Sequence, residues 1–201
     1  MPYIKKSIYL LFFSISLSQV RIGDWKALTS PLDVRDLIYN DNEIIAATGG
    51  GLFQLINNEY KTYTSVDGLE NVNISCLAID HLGNTWIGGS SPFGSLQIYN
   101  RNTIESVAIF DFNLTSIIDI QIIDSLAWVS FLDGQDPGIM KFRYDTEWRY
   151  IDSYRNFPQE SGGFTNFIAN DSLLILGTSN GIYYGKISNN LKDPNNWETI
   201  D

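Results

Sequence analysis

The sequence predicts an all-β protein, a β-propeller made of four-stranded antiparallel blades, and three observations lead to this fold class. A glycine followed by an apolar run recurs at Gly51, Gly94, Gly138 and Gly181, with spacings of 43, 44 and 43 residues. Each period contains a tight-turn sequence and four short runs rich in Ile, Val, Trp, Tyr and Phe, without helical periodicity. Four strands in a period of roughly 40 to 50 residues are typical of propeller blades.

The first 18 residues differ from this pattern and predict a secretory signal peptide. Lys5 and Lys6 precede an apolar run over residues 8–17, which only two serines interrupt. Such a run is too short to span a bilayer as a helix. A charged start, an apolar stretch and small residues before Gln19 indicate cleavage at that point. We therefore expect export to the periplasm or the cell surface; the alternative is a buried N-terminal helix or strand.

The charge balance excludes several kinds of partner. The formal net charge is −10, and removal of residues 1–18, which contain two lysines and no acids, makes it −12. Such a surface repels nucleic acid and anionic membranes. No later segment has 18 consecutive apolar residues, so we expect no membrane insertion after signal cleavage. Cys76 is the only cysteine and lies in a strand-like run, which predicts a buried thiol.

The repeat divides residues 19–201 into blades. We expect blade one at about 34–65, blade two at 72–109, blade three at 117–153 and blade four at 164–201. The outermost strand carries a recurring phrase, which reads EYKTYTS at 59–65, EWRYIDS at 147–153 and NWETID at 196–201. In blade two the corresponding segment, NTIESVAI at 102–109, matches this phrase poorly.

A further copy of the phrase, DWKALTS at 24–30, precedes the first inner strand. It predicts an extra N-terminal outer strand, of the kind that completes the last blade in a closed propeller. Blade four, however, already has its own outer strand. The sequence therefore favours about four blades of an incomplete ring that continues in a longer parent protein over a closed four-bladed ring, and it leaves open sheet edges as the other possibility.

Residues 68–89, GLENVNISCLAIDHLGNTWIGG, carry a family resemblance. Blade one contains the related sequence AATGGGLF, and blade four contains LILGTSNGIYY. Blade three departs from this pattern, with Ser130 in place of a glycine. The segment resembles the two-component regulator propeller repeat, found in exported bacterial propellers that include sensor regions of hybrid two-component systems and an accessory component of type IX secretion. The resemblance implies the fold, and it implies function only by class. The matching residues are Gly68, Leu69, Asn71, Asp80, Gly83, Trp86, Ile87 and Gly88.

The residues that carry chemistry do not form a recognisable catalytic set. With one histidine, His81, and one cysteine, neither a His-based triad nor a thiolate zinc site can be assembled. Asp80, Asp124 and Asp171 fall in equivalent hairpin turns, where aspartate bonds the local backbone. The acidic patch at 133–136 and the pair Asp111 and Asn113 match no calcium loop. We expect no enzymatic activity, no metal and no cofactor.

The surface that remains consists of loops at one end of the blades, at 30–33, 65–71, 89–93, 131–137 and 154–163. Exposed aromatics beside acidic and amide groups fit a protein or glycan partner, and the alternative is that these aromatics cap the blade ends. The candidate binding residues are Phe93, Phe131, Gln135, Asp136, Phe157 and Gln159.

Three functions compete on this basis. The first is a non-enzymatic exported binding or scaffold propeller, linked to type IX secretion or cell-surface assembly. The second is the periplasmic ligand-sensing region of a hybrid two-component sensor. A propeller enzyme would be the third, and it requires a catalytic cluster that the sequence does not offer.

Overall fold

The computed structural model describes residues 28–40, 42–107, 113–162 and 164–200. The predicted signal peptide, residues 1–18, lies outside the described residues, as do residues 24–27 of the predicted N-terminal strand and Asp111. Residues 28–30, the rest of that strand, form no regular secondary structure.

Four antiparallel sheets of four strands each make up the described part of the chain, which confirms the predicted fold class. Within each sheet the strands pair in chain order, so each sheet is a simple meander. The first sheet contains β1 (Val34–Asn40), β2 (Glu43–Thr48), β3 (Gly51–Ile56) and β4 (Glu59–Tyr63). The second contains β5 (Ile74–Ile79), β6 (Thr85–Gly89), β7 (Leu96–Tyr99) and β8 (Ile104–Ser106). The third contains β9 (Leu114–Ile123), β10 (Leu126–Asp133), β11 (Asp136–Tyr144) and β12 (Trp148–Tyr154). The fourth contains β13 (Phe164–Ala169), β14 (Leu173–Thr178), β15 (Gly181–Lys186) and β16 (Trp197–Ile200).

Helical structure in the described residues is limited to three short 3₁₀ turns, at Ser65–Asp67, Gln159–Ser161 and Pro194–Asn196. Two of them lie between blades, and the third precedes β16. Across the described ranges, no helix has the length and apolar character needed to cross a membrane.

The hydrophobic cores lie between neighbouring blades, because successive side chains of a strand point to opposite faces of its sheet. Blades one and two share a core that includes Ile45, Leu52 and Ile87. Blades two and three share a core around Trp86, Ile117 and Phe142. The core between blades three and four includes Trp128, Phe167 and Leu176.

Trp86 and Trp128 occupy equivalent positions in the second strands of blades two and three. Their register partners on the inner strands are Ala78 and Gln121. Both indoles are fully buried, and the ring of Trp86 meets the edges of Phe142 and Trp148 at centroid distances of 5.5 and 5.0 Å. In blades two and three a buried tryptophan therefore fills the space toward the following blade, whereas the equivalent residues in blades one and four are Ile45 and Ile175.

Two residues after each of these tryptophans, the strand has room only for a small side chain. A Cβ atom at Gly88 would overlap the sulfur of Cys76 and the side chain of Ile117, which belongs to the next blade. Ser130 takes this position in blade three, and its hydroxyl donates to the carbonyl of Asp119 at 3.4 Å. The departure from the repeat is thus accommodated by a small side chain whose polar atom is paired.

Side chains of the inner strands connect each blade to the next. The backbone amide of Leu77 donates to the Asp36 carboxylate at 2.7 Å, which joins β1 to β5. The hydroxyl of Ser75 donates to the carbonyl of Ile117 at 2.6 Å, joining β5 to β9. Gln121 joins β9 to β13 through bonds with the backbone of Phe167 and Ala169, at 2.6 and 3.1 Å. Among the described residues no hydrogen bond or hydrophobic core joins blade four to blade one, so the ring is open.

Candidate functional site

The predicted binding surface is only partly exposed. Phe93 is exposed in the loop after β6, Gln135 and Asp136 are exposed at the β10–β11 hairpin, and Gln159 is exposed in its 3₁₀ turn. Phe157 is half-buried, and its ring packs edge-on against Phe164 and Trp197. These last contacts fit the alternative in which aromatics cap the blade ends.

The prediction for Phe131 was wrong, because its side chain is fully buried in the core between blades two and three. Residues 131–137 were expected to form a loop at the end of blade three. Instead β10 extends through Asp133 and β11 begins at Asp136, with Gly134 in the left-handed region at φ 65°. Because residue 131 lies inside a strand, its ring points into the core and packs over Gly138.

A groove of about 610 Å³ lies between blades two and three, near their outer strands. It is at the end of these blades that faces away from the predicted binding loops. Its volume is within the usual range of ligand sites, roughly 300 to 1,000 Å³. The groove is open to solvent on one side, and its walls come from the β5–β6 turn, the β7–β8 hairpin and the β11–β12 hairpin. The lining residues are Leu82, Asn84, Ile98, Asn100, Glu105, Ser106, Val107, Tyr144, Glu147, Trp148, Arg149 and Tyr150.

Aromatic side chains form one wall of this groove. The ring of Trp148 contacts Tyr144 edge-on at 5.4 Å, and His81 packs against both rings, at 4.8 Å from Tyr144 and 5.9 Å from Trp148. Tyr150 continues the wall and packs on Phe142, inside the core. Each ring is braced by another ring, so the wall is formed before any ligand arrives.

Asp80 fixes the turn of blade two to the outer strand of blade three. One carboxylate oxygen accepts from the backbone amides of Leu82 and Asn84, both at 2.9 Å. The other accepts from the indole nitrogen of Trp148, also at 2.9 Å, and from the Asn84 amide group at 3.1 Å. Asp80 is buried, so these bonds hold the two sides of the groove in a fixed relation.

The rim of the groove is polar. The side-chain oxygen of Asn100 accepts from the backbone amides of Asn102 and Thr103, and the hydroxyl of Thr103 donates to Glu105 at 2.7 Å. On the facing hairpin, Arg149 pairs with Glu147 at 3.0 Å. The rim therefore offers carboxylate, amide and guanidinium groups to a ligand that lies on the aromatic wall.

Elsewhere the described residues offer little for chemistry. Burial raises the pKa of the Cys76 thiol, which keeps it protonated and unreactive. No group of three or more His, Cys, Asp or Glu side chains able to hold a metal ion occurs in the described part of the chain. The absence of enzymatic activity and of cofactors stays a prediction.

Sequence reasoning missed the groove, although its parts were visible. Asp80 and His81 stood out as turn residues, and Trp148 belongs to the recurring outer-strand phrase. Asp80 and Trp148 are 68 residues apart in the chain, so only the packing of blade two on blade three brings them together.

The fold and the groove define an open array of four propeller blades with a pre-formed interblade groove. No family model and no curated protein matches the chain. Among solved structures it is similar to PorZ, a surface component of the type IX secretion system of Porphyromonas gingivalis, with 18% identity and a TM-score of 0.68 over 89% of this chain and 24% of that chain.

It is also similar to two extracellular domains from B. thetaiotaomicron. One is assigned to the hybrid two-component system BT3049, with 19% identity and a TM-score of 0.56 over 83% of this chain and 24% of that chain. The other is assigned to the hybrid two-component system BT4673, with 15% identity and a TM-score of 0.62 over 88% of this chain and 23% of that chain. The chain thus spans about a quarter of each neighbour. At these identities the likeness shows the fold, and the neighbours are the two kinds of protein to which the repeat resemblance pointed.

Proposed function

We propose that the chain is a non-enzymatic, exported β-propeller module that binds a partner at the cell surface, in the context of type IX secretion or surface assembly. The groove between blades two and three carries this proposal, because it is a braced aromatic wall with a polar rim. The likeness to PorZ, a bacterial surface component of that secretion system, supports the cellular context.

The groove favours a glycan as its ligand. Sugar rings present C–H faces that stack on aromatic side chains, here Tyr144, Trp148 and Tyr150, and hydroxyls that bond carboxylates and amides, here Glu105, Glu147 and Asn84. The open side accommodates a chain longer than the groove itself. The net charge of −10 opposes nucleic acid and anionic membranes as partners.

The test is a titration of the purified chain with a panel of neutral and acidic oligosaccharides, measured by intrinsic tryptophan fluorescence and by calorimetry. Tyr150→Ala removes part of the wall and should weaken binding about tenfold, which corresponds to about 1.4 kcal/mol. Tyr60→Ala, which changes a tyrosine on blade one, is the matched control and should bind as the unmodified chain does.

A second variant separates the groove from the loop surface predicted from the sequence. Phe93→Ala removes the exposed aromatic of that surface and should leave glycan binding unchanged. If the chain binds no oligosaccharide and instead captures a surface protein through Phe93, the groove is not the site and the partner is a protein.

The second candidate function is ligand sensing in a two-component system. The likeness to the two extracellular domains from B. thetaiotaomicron favours it. The coding sequence beyond residue 201 distinguishes the two candidates: a transmembrane helix and a kinase domain indicate a sensor, whereas further propeller blades and a sorting domain indicate a secretion-associated protein.

A further inference from the structure

The outer strand of each blade carries a charged residue at one register position, on the face toward the following blade. In blade two this residue is Glu105, which pairs with Ile98 on β7, and Ile98 in turn pairs with Trp86 on β6. Trp86 is buried in the core between blades two and three, so Glu105 lies on the face that borders the groove. The equivalent residues in blades one, three and four are Lys61, Asp152 and Glu198.

The junction between blades three and four shows which group occupies this place when the chain fills it. Lys192 lies in the connection between β15 and β16 of blade four, and its ammonium contacts the Asp152 carboxylate of blade three at 2.6 Å. The following blade thus supplies a cation to the carboxylate of the preceding blade. Asp152 is the register equivalent of Glu105, so this ion pair is an internal precedent for the groove.

Blade three supplies no such cation to Glu105. The connection that corresponds to the one carrying Lys192 is the β11–β12 hairpin, and it contains Asp145 and Glu147 in place of a lysine. Glu105 accepts a hydrogen bond from the hydroxyl of Thr103 at 2.7 Å, and within the part of the chain that the structure describes it forms no ion pair. An uncompensated carboxylate therefore borders the groove.

The other charges around the groove do not offset that of Glu105. Glu147 pairs with Arg149 at 3.0 Å, so these two side chains neutralise each other. Asp80 is buried behind the aromatic wall, where it bonds two backbone amides, an amide side chain and the indole of Trp148, all of them neutral donors. Among the described residues that line the groove, Arg149 is the only basic one. The groove is therefore negative, and the net charge of −10 adds to its potential.

We infer that the groove selects glycans that carry free amino groups, and that Glu105 pairs with the ammonium. This inference rests on the proposed function and names the class of sugar that the site binds. An ammonium at Glu105 takes the place that Lys192 takes at Asp152. The rings of Trp148 and Tyr150 add to the attraction, because the face of an aromatic ring is negative and attracts cations. The same carboxylate repels acidic sugars.

Two oligosaccharides with the same backbone separate the effect of charge from that of shape. The full chain is titrated by calorimetry with a glucosamine oligomer, at a pH that keeps its amines protonated, and with the N-acetylated form of the same oligomer. We expect the glucosamine oligomer to bind about tenfold more tightly, since a charge-assisted bond replaces a neutral one. Added salt should reduce this preference, because it screens exposed charges. Equal affinities for the two oligomers overturn the inference.

Glu105→Gln tests whether this carboxylate is the source of the preference. The variant removes the charge and keeps the length of the side chain and an oxygen that accepts from Thr103. Because Glu105 is exposed, we expect the chain to fold as before and the ratio of the two affinities to fall to about one. Glu59→Gln, at an exposed carboxylate on β4 of blade one, changes the net charge equally and should keep the tenfold ratio. A preference that survives in Glu105→Gln contradicts the inference.

The outcomes distinguish this inference from the proposed function. If both oligomers bind alike and Tyr150→Ala weakens both, the groove binds glycans and the selection of amino groups is wrong. If no oligosaccharide binds, the proposed function fails and the inference fails with it. If a lysine-rich peptide binds in place of the oligosaccharides and Glu105→Gln abolishes its binding, both are wrong and the groove receives a protein.

Discussion

Trp86 fills the space between blades two and three with an indole that has no exposed surface. We expect Trp86→Ala to lower the free energy of unfolding by roughly 3 to 5 kcal/mol, the usual loss for a large buried aromatic. Urea denaturation measures it, with Val66→Ala at an exposed position as the control, which should stay within about 0.5 kcal/mol. A loss below about 1 kcal/mol for Trp86→Ala contradicts the buried position.

Asp80 is the residue on which the groove depends. In Asp80→Ala the amides of Leu82 and Asn84 and the indole nitrogen of Trp148 lose their acceptor. Because bonds to a charged group contribute more than neutral ones, we expect a loss of about 2 to 3 kcal/mol in unfolding free energy. The tryptophan emission of the chain should also shift to longer wavelength as the indole of Trp148 becomes more exposed to water. Unchanged fluorescence and stability would show that the turn is held by other contacts.

The reactivity of the Cys76 thiol tests whether this residue is buried. Its pKa lies above the ordinary value because burial disfavours the thiolate, which is the reactive form. We expect a thiol reagent at pH 8 to label the folded chain much more slowly than the urea-unfolded chain. Equal rates would mean that the core between blades two and three opens readily.

For single residues, the sequence predicted where the hairpin turns lie better than which side chain in each turn bonds the backbone. Asp80 accepts a hydrogen bond from a backbone amide of its turn, as its place in the repeat predicted. In blade four the residue that does so is Asn170, which accepts from Ser172 and Leu173, although the neighbouring Asp171 was expected to. Either side chain can bond its own backbone two residues on, so the sequence alone did not decide between them.

Among the four outer strands, β8 is the shortest. It has three residues, Ile104–Ser106, where β12 has seven, Trp148–Tyr154. Fewer ladder bonds and little buried surface lower the cost of local opening. We expect hydrogen exchange at the β8 amides to be much faster than at the central amides of β12, as measured by mass spectrometry. Equal protection would show that β8 is covered by a part of the molecule beyond the described residues.

The hairpin of β10 and β11 shows where element prediction failed. The segment 131–137 contains Asp133-Gly134, a pair that favours a tight turn, but the whole segment was expected to form a loop. In the structure Pro137 lies on β11 opposite Leu132, one pair beyond the turn. The strands therefore continue past the point where the apolar pattern stops, and this extension is what buries Phe131.

For the whole molecule, export is the prediction that the sequence makes most directly. Lys5, Lys6 and the apolar run over residues 8–17 lead us to expect a mature N-terminus at or near Gln19. Mass spectrometry of the protein from its host measures this. An intact Met1 on a cytoplasmic product contradicts it.

The repeat made the arrangement of blades predictable, because one pattern is stated four times in the chain. The groove was not predictable, because it depends on how far two outer strands diverge and on the contact between Asp80 and Trp148. Those quantities are set by packing between blades. They leave no periodic signal in the sequence.

The bonds that Asp36, Ser75 and Gln121 make to the following inner strand have an evolutionary consequence. Each of them reaches only the next unit, and each accepts or donates to main-chain atoms that any residue possesses. When every unit contacts only its neighbours, stability is close to a sum of unit and neighbour terms. An in-frame duplication of one 43-residue unit would thus create a blade that fits on both sides at once, and descendants of such a gene can change their number of blades without inventing a new contact.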